Sequence, residues 1–406
     1  MNAATRDVVI AGGALAGSLA ALALGRLGLA VTLVEARAPS PKGARESGDG
    51  RSISLSLASV QVLESLDLWS ALAAEATPIN TVHVSEAGRF GQMRLIAREM
   101  GVAALGQVVP AEALLAAIAQ AASAAGVERI SPAEVTAAPL VGEAREVVIH
   151  SVGGENRTFA ARLLLIADGA GSTLRAELGI GARERRYDAT AWVTTAHAAH
   201  PQPGVAFERF TCEGTLAILP RGGKNVGVVW TLPDARTDEF AVLEPQAFLD
   251  RVGDALGGRL GALAPAAAIR RFPLRAIRAR KQSAARAVVI GNAAHSLHPV
   301  AAQGFNLTVR DIAALAECVG EAPEDPGVAR ILENYARARR RDQACTQTFT
   351  GIARGLGDWH MPFASSARGA GFFACEMFRP LARECARQGM GLAQRPLPAL
   401  VRGARP

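Results

Sequence analysis

Aromatic residues and cysteines are scarce in this sequence. Aromatic side chains make up 5% of the 406 residues and include two tyrosines, so few residues could serve a mechanism that needs a tyrosine hydroxyl. The five cysteines are scattered and no two have the C-x-x-C spacing, which argues against a zinc site and a redox dithiol. We therefore expect reduced cysteines in a cytoplasmic protein and no resident metal.

The chain also lacks a basic-aromatic module of the kind that binds nucleic acid, so we expect no nucleic-acid partner. Its 44 Lys and Arg residues exceed its 37 Asp and Glu residues, which gives a net charge of +7. This excess favours anionic ligands such as a nicotinamide phosphate, or an acidic membrane surface, and it carries no information about the fold.

One long apolar run, residues 8–34, resembles a membrane signal because Arg26 is its only charged residue. The residues before it carry no net positive charge, and glycines cluster near its start. Both features argue against a signal peptide or anchor. A buried strand, a glycine turn, a helix and a second strand explain the run better.

The rest of the chain alternates between helical and strand patterns, which predicts an α/β fold. Strands are expected at 7–11, 30–34, 146–152, 162–167 and 285–290, in short runs over 191–232, and helices at about 14–27, 58–72, 111–125 and 304–319. Nucleotide-binding signals lie near the start, near Asp168 and near Gly291. A cofactor domain built from separated segments, with a substrate domain inserted, fits this order.

The first signal is a glycine turn that follows the first strand, with Gly12, Gly13, Ala14 and Gly17. Gly12 permits a tight turn, a small residue at 14 lets the backbone approach a pyrophosphate, and Gly17 lets the helix pack on the sheet. Most dinucleotide folds have glycine where this chain has Ala14. Glu35 ends the next strand, where an acid accepts hydrogen bonds from ribose hydroxyls.

The second signal is Asp168-Gly169, an acid and a glycine at the end of a buried strand. Glycine can adopt unusual dihedrals there, but such a junction occurs in many folds. The third signal runs from Gly291-Asn292 to Asn306. A polar side chain after the strand could bind a sugar-alcohol chain, and a helix that starts near Gly304 would direct its positive end at a ligand. His295 and His298 lack a third metal ligand nearby.

These three signals, in this order, resemble the class A flavoprotein monooxygenases, the family of para-hydroxybenzoate hydroxylase. The resemblance runs from Asp7 to about Asp342 and is stronger for the hydroxylases of polyprenylated methoxyphenols in ubiquinone biosynthesis. That narrower similarity lies in residues 49–55, 81–85, 104–109, 206–211, Asn292 and 297–299, and more weakly in 371–391. The match implies a Rossmann-like FAD-binding domain in segments 1–80, 107–186 and 285–342. It also implies a β-sheet substrate domain in 81–106 and 187–284, and a C-terminal helical region, 343–406.

The resemblance assigns roles to individual positions. It implies that Arg51 and Gln107 contact FAD, that Asp168-Gly169 serves both FAD and a transient NAD(P)H, and that Asn292 replaces the acid usual in the family. It also implies that Pro299 and Gly304 lie at the reactive face of the flavin. Gln303 and Asn306 are implied to bind the cofactor.

The implied activity is hydroxylation of a phenol ring by resident FAD, with NAD(P)H and O2 as co-substrates. The implied partners are a prenylated phenol and either other ubiquinone-biosynthesis proteins or the surface of an inner membrane. Just one dinucleotide fingerprint is present, so NAD(P)H is expected to bind transiently. No charged anchor occurs in residues 216–219, which favours a substrate with an apolar tail.

Several departures keep alternatives open. Ala302 stands where the family commonly has glycine, Thr215 replaces a proline, and Ala189 replaces a glutamine. A hydroxylase of another phenol, a lipid-ring reductase and a flavin-bound assembly subunit remain possible. A halogenase has a Trp-x-Trp-x-Ile-Pro signature, and Trp230 has no such partner. We expect the basic run 337–341 to be solvated and the apolar residues of 372–381 to be core, whereas Tyr187 is as compatible with substrate contact as with packing.

Overall fold

The computed structural model describes residues 4–38, 51–154, 156–356 and 364–393. Outside the described residues lie 1–3, 39–50, 155, 357–363 and 394–406. They include Asp49 and Gly50 of the segment that resembles the ubiquinone hydroxylases, and parts of the predicted FAD-binding segments and C-terminal region. The strands are β1 (Ala4–Ala11), β2 (Val31–Val34), β3 (Ser52–Ser56), β4 (Thr77–Ile79), β5 (Thr81–Glu86), β6 (Gln92–Ile96), β7 (Gly106–Pro110), β8 (Glu128–Ile130), β9 (Ala133–Ala137), β10 (Leu140–Val141), β11 (Ala144–Ser151), β12 (Asn156–Ile166), β13 (Ala182–Ala198), β14 (Val205–Phe210), β15 (Thr215–Pro220), β16 (Asn225–Pro233), β17 (Leu263–Pro265), β18 (Arg270–Ala279), β19 (Ser283–Ala284), β20 (Ala287–Val289) and β21 (His295–Ser296).

The helices are α1 (Leu15–Gly25), α2 (Leu57–Ser65), α3 (Trp69–Leu72), α4 (Ala111–Ala124), α5 (Thr173–Glu177), α6 (Thr237–Ala241), α7 (Pro245–Leu256), α8 (Gln303–Gly320), α9 (Ala329–Leu356), α10 (Ala364–Met377) and α11 (Arg379–Gly389). The apolar run at the start is therefore strand, helix and strand, as predicted. Over 191–232 the sequence predicted short strands, whereas β13 has 17 residues and pairs along its length with β18, β16 and β17.

The first sheet is the centre of the α/β layer. Its main path is β10-β11-β12-β1-β2-β8, and β20 pairs with the end of β12. Strands β2, β1, β12 and β20 are parallel to one another. One large core cluster packs α1, α2, α4 and α8 against a face of this sheet. Parallel strands covered in this way are buried on both faces, which explains their unbroken apolar sequences.

The second sheet has the path β21-β18-β13-β16-β15-β14-β5-β6. One of its faces is fully buried against α6 and α7, and its core residues include Trp192, Phe207 and Trp230. The alternate residues of the same strands are half-buried and form the opposite face. We call them the open face, and its centre consists of Val82, Val84, Glu208, Thr215, Ala217, Leu219, Val229 and Thr231.

A third, small sheet, β3-β7-β4, lies between the two larger ones. Its Val108 packs with Ala206 of the second sheet, and its Leu55 belongs to the core of the first sheet. No helix in the described part of the chain is both long enough and apolar enough to cross a membrane.

Candidate active site

The glycine turn between β1 and α1 is tightly packed. Gly12 has a φ of +102°, and a Cβ there would lie 2.4 Å from the carbonyl oxygen of Ala167. A Cβ on Gly17 would lie 1.8 Å from the carbonyl oxygen of Gly12. Helix α1 then begins after the exposed Ala14, without a side-chain cap or an acid in its first turn. Its free N–H groups and positive dipole end are therefore left for an anionic group.

Glu35 is directly joined to this turn. The Gly13 N–H donates to Glu35 Oε2 at 2.6 Å, and the Arg37 N–H donates to Oε1 at 2.9 Å. Each carboxylate oxygen keeps a further lone pair. Glu35 thus fixes the turn, and its binding of ribose remains a prediction.

The three sequence signals meet at one edge of the first sheet. Because β2, β1, β12 and β20 are parallel neighbours, their carboxyl ends bring Glu35, Gly12, Asp168 and Gly291 to the same edge. A Cβ on Gly291 would lie 2.9 Å from Ala16 Cβ in α1. Ligands of open α/β sheets bind outside the carboxyl ends of the strands, so this edge is the cofactor side.

The polar side chains at this edge point to solvent. Asp168 and Asn292 are exposed, and Asp168 Oδ2 accepts a hydrogen bond from Ser172 Oγ at 2.9 Å. Gly169, with a φ of +99°, makes the turn that follows. These groups remain accessible to a ligand.

The loop before α8 adopts a backbone conformation that alanine disfavours. Ala301 and Ala302 have φ values of +58° and +48°, and a non-glycine residue in the left-handed region costs about 1–2 kcal/mol. The side-chain amide of Asn306 holds this loop, since its Nδ2 donates to Ala302 O at 2.7 Å and to Ser54 O at 2.8 Å. Its Oδ1 accepts from the Ser56 N–H at 2.8 Å. Both N–H groups of the amide and one lone pair of its oxygen are used within the protein, so Asn306 positions the loop.

The start of α8 offers groups for a polar heterocycle. Helix α8 lacks a side-chain cap, and apart from the adjoining residues and the backbone of the helix itself, no atom of the described residues lies within 4 Å of a Cβ added to Gly304. Gln303 is buried, and its Nε2 donates to Ala301 O and Gly389 O. Its Oε1 has no hydrogen-bond partner among the described residues. An orphaned acceptor, free N–H groups and open space fit the edge of a flavin ring, and half-buried Pro299 lies in the preceding loop.

Arg51 and Gln107 lie where the third sheet meets its neighbours. Gln107 is on β7, opposite Leu55 of β3. The Arg51 guanidinium lies 5.3 Å from the ring centroid of Phe272, which is on the same side of the second sheet as the open face. These two predicted cofactor residues therefore lie close to that face.

Tyr187, His298 and Arg354 lie near the loop before α8 and were not predicted as site residues. The rings of Tyr187 and His298 meet edge-on at 5.1 Å, and the Arg354 guanidinium lies 5.3 Å from the Tyr187 ring. Burial, helped by the charge of Arg354, lowers the pKa of His298 to about 4, so this imidazole is neutral near pH 7. Their long sequence separation gives no local signal of this contact.

Glu208 on the open face is the other residue that sequence reasoning did not select. Burial raises the pKa of Glu208 to about 8. Among the described residues it has no hydrogen-bond or ion-pair partner. The alternation of β14 could have indicated it, because Glu208 shares a face with Ala206 and Phe210.

A buried ion network lies behind the site. Asp311 accepts from His295 Nε2 at 2.5 Å, Arg339 Nε at 2.6 Å and Gln343 Nε2 at 2.9 Å. Asp342 pairs with Arg339 and with Arg310. The expectation of a wholly solvated basic run was therefore wrong for Arg339, which is buried because α9 packs on α8. Among the described residues, no group of three His, Cys, Asp or Glu side chains could hold a metal ion.

Comparisons with known proteins agree with this geometry. The family model described as FAD binding domain matches residues 5–349. Ubiquinone hydroxylase UbiL of Rhodospirillum rubrum is 31% identical over 98% of this chain and 92% of its own length. The 3-demethoxyubiquinol 3-hydroxylase of Escherichia coli is 28% identical over 95% of this chain and 98% of its own.

A solved structure has the same fold. The p-nitrophenol 4-monooxygenase PnpA of Pseudomonas putida DLL-E4 matches with a TM-score of 0.80 and 16% identity, covering 97% of this chain and 100% of its own. The matched family and the full-length relatives agree with the cofactor edge that the glycine turn, Asp168 and Gly291 form. The chain therefore belongs to the FAD-binding domain family and is an FAD-dependent monooxygenase.

Proposed function

We propose that this protein hydroxylates the aromatic ring of a polyprenylated methoxyphenol of ubiquinone biosynthesis, with NAD(P)H and O2 as co-substrates. The open face of the second sheet carries this proposal, because it lies beside the predicted cofactor residues and is mostly apolar. Each buried methylene contributes about 0.8 kcal/mol, against about 0.5–1.5 kcal/mol for a hydrogen bond to a phenol. A sheltered prenyl tail therefore dominates recognition.

Bound FAD supplies reducing equivalents from NAD(P)H and activates O2 for transfer to the ring. The protein's own groups bind and orient it. The start of α1 would bind the diphosphate, Glu35 would bind the ribose, and Asn292 would bind the ribityl chain without adding a charge. The uncapped start of α8 and Gln303 Oε1 would bind the pyrimidine edge, where the positive helix end would stabilise negative charge. Pro299 and Gly304 would border the ring.

The test compares two substrates with the purified yellow holoenzyme. We expect NAD(P)H oxidation coupled to hydroxylated product with a short-chain prenylated methoxyphenol, and little with para-hydroxybenzoate. Lengthening the tail should lower KM by about fourfold per buried methylene. Faster coupled turnover of the benzoate would assign the chain to the hydroxylation of other phenols.

An assembly subunit that has lost hydroxylation is the second candidate, favoured by Ala302 in its disfavoured conformation. Such a subunit would bind FAD yet yield no hydroxylated product from any phenol. Since a long-tailed phenol resides in lipid, we also propose that the enzyme meets its substrate at a membrane surface or receives it from a protein of the same pathway.

A further inference from the structure

The C-terminal helices expose an apolar surface. The sequence predicted that the apolar residues of 372–381 would be core, and Phe372 is indeed buried. Met377 and Phe378 are however 63% and 66% exposed. We define the apolar patch as the exposed residues Phe90, Phe373, Met377, Phe378 and Leu381.

The patch is continuous across two parts of the chain. The Phe90 ring, in the turn between β5 and β6, lies 5.6 Å from the Phe373 ring of α10. Turn and helix touch closely, because a Cβ on Gly91 would lie 2.4 Å from Gly369 O. Contiguous exposed apolar residues are a feature of interaction surfaces.

Exposed positive charges lie on the same segments as the patch, since Arg89 precedes Phe90, and Arg379, Arg383 and Arg387 lie on α11 with Leu381. Of the nearby acids, Glu376 is paired with Arg94, and Glu384 is exposed. In a two-fold dimer this cationic surface would meet itself, which is unfavourable. Apolar side chains beside exposed cationic ones match an anionic lipid surface.

The inner side of α10 covers one end of the open face. Arg368 forms a buried ion pair with Glu86, and the Phe372 ring stacks on Phe210 at 5.8 Å. Glu86 and Phe210 are cross-strand neighbours, and Phe210 lies two residues from Glu208. A lipid at the apolar patch is therefore separated from the open face by one helix, about 10 Å in diameter.

Resting on the proposed function, we infer that the apolar patch docks this enzyme on an anionic membrane, so that a lipid-dissolved phenol can enter beside α10. The holoenzyme is tested by flotation with phosphatidylcholine vesicles with and without phosphatidylglycerol. Met377→Gln/Phe378→Gln is compared with Val152→Gln/Val242→Gln, which alters two apolar residues outside the patch that are 76% and 80% exposed.

We expect the wild type and the control to bind the vesicles that contain phosphatidylglycerol. The patch variant should bind them at least about tenfold more weakly. All three should turn over a soluble short-chain phenol equally, whereas the patch variant should be slow on a long-chain phenol held in vesicles. Equal flotation of both variants, or a self-association that only the patch variant loses, overturns the inference. Failure of soluble turnover in the wild type counts against the proposed function instead.

A second inference concerns Glu208, which faces Val84 and Ala217 in the apolar centre of the open face. From β5 to β16 the ionisable residues on this face are Glu86 and Glu208, and Glu86 is paired. Charged groups on the elements around the face include Glu86, Arg94, Glu376, Arg368, Arg51 and Arg221, and α11 adds exposed arginines and Glu384. None of them shifts the pKa of Glu208, which burial alone raises.

Also resting on the proposed function, we propose that Glu208 is a catalytic base for the substrate hydroxyl. Its carboxylate accepts the phenol proton, the O–H bond breaks, and the electron pair stays on the phenol oxygen, which makes the ring more electron-rich. The proton leaves to water when product departs. An ordinary carboxylate is a weak base for a phenol, and a raised pKa makes this transfer less uphill.

The test compares Glu208→Gln with Glu184→Gln, an exposed acid on the same sheet. Product formation by the wild type and by Glu184→Gln should rise with pH through about 8. Glu208→Gln should lose that dependence and fall 10²–10³-fold, with FAD content and the rate of flavin reduction by NAD(P)H unchanged. Glu208→Asp should recover part of the rate.

Infrared spectroscopy gives an independent readout, because a carboxyl band should titrate near pH 8 and be absent in Glu208→Gln. Activity of Glu208→Gln within threefold of the wild type, with the same pH profile, overturns this inference. If the wild type hydroxylates only another phenol, the proposed substrate is wrong while the comparison on that phenol still decides the role of Glu208.

Discussion

Asp311 is a fully buried carboxyl group and Glu208 a half-buried one, and their surroundings differ. Asp311 lies between α8 and α9 and accepts hydrogen bonds from His295, Arg339 and Gln343. Glu208 lies on the open face without a partner among the described residues. Pairing lowers the pKa of Asp311, whereas burial raises the pKa of Glu208. Removing one partner of a buried ion pair destabilises the fold, and an unpaired buried charge costs stability that a binding or catalytic role can justify.

The largest effect is expected from breaking the paired region. Asp311→Asn leaves Arg339 with one carboxylate fewer and should lower the free energy of unfolding by about 3–5 kcal/mol. Because the folded-state pKa of Asp311 lies below its unfolded value, this contribution is present above about pH 4 and is lost at lower pH. Urea unfolding at several pH values measures it, with the exposed Asp67→Asn as control. A difference below 1 kcal/mol would remove the contrast between the two regions.

Replacing the unpaired Glu208 should raise the free energy of unfolding, in contrast to Asp311→Asn. The folded-state pKa of Glu208, about 8, exceeds the ordinary 4.5, so the wild type loses stability as pH rises from 4.5 to 8. Glu208→Gln avoids this loss and should be more stable by about 2–4 kcal/mol at pH 9, from roughly 1.4 kcal/mol per pKa unit less an allowance for partial exposure. If the wild type and Glu208→Gln differ in unfolding midpoint by the same amount at pH 5 and at pH 9, Glu208 has a partner in solution.

Glu35 extends the comparison to a half-exposed carboxylate that accepts two backbone N–H groups. Glu35→Ala should weaken FAD binding about 10–100-fold, because it removes the ribose acceptor and loosens the turn at Gly13. Equilibrium dialysis of the apoprotein with FAD measures this, and Glu184→Gln is the control. A variant that retains FAD as tightly as the wild type would contradict the assignment.

The smallest effect is expected where a carboxylate is added at an exposed position. Asn292→Asp should still bind FAD, with a change in free energy of binding of about 1 kcal/mol or less, because solvent screens the new charge. Its negative charge beside the flavin should shift the reduction potential modestly. Spectroelectrochemical titration checks this, and an unchanged potential would place Asn292 away from the flavin.

Local sequence predicted the elements around the cofactor edge well. The glycine turn, the buried strands and the helix at about 304–319 appear as predicted, because apolar periodicity and glycine geometry act over a few residues. The same reasoning could not reveal that the amide of Asn306 would be occupied by Ser54 and Ser56, which are about 250 residues distant. It also expected core packing for Met377 and Phe378, which tertiary contacts leave exposed.

The sequence by itself determined the cofactor half of this protein. Strand, glycine turn and helix follow from short-range sterics, and parallel pairing then brings Glu35, Asp168 and Gly291 to one edge. Only the tertiary structure decided which buried charges have partners, since Arg339 meets Asp311 and Arg368 meets Glu86 through elements distant in sequence. The desolvation that sets the pKa of Glu208 is likewise a property of its surroundings, and no local pattern encodes it.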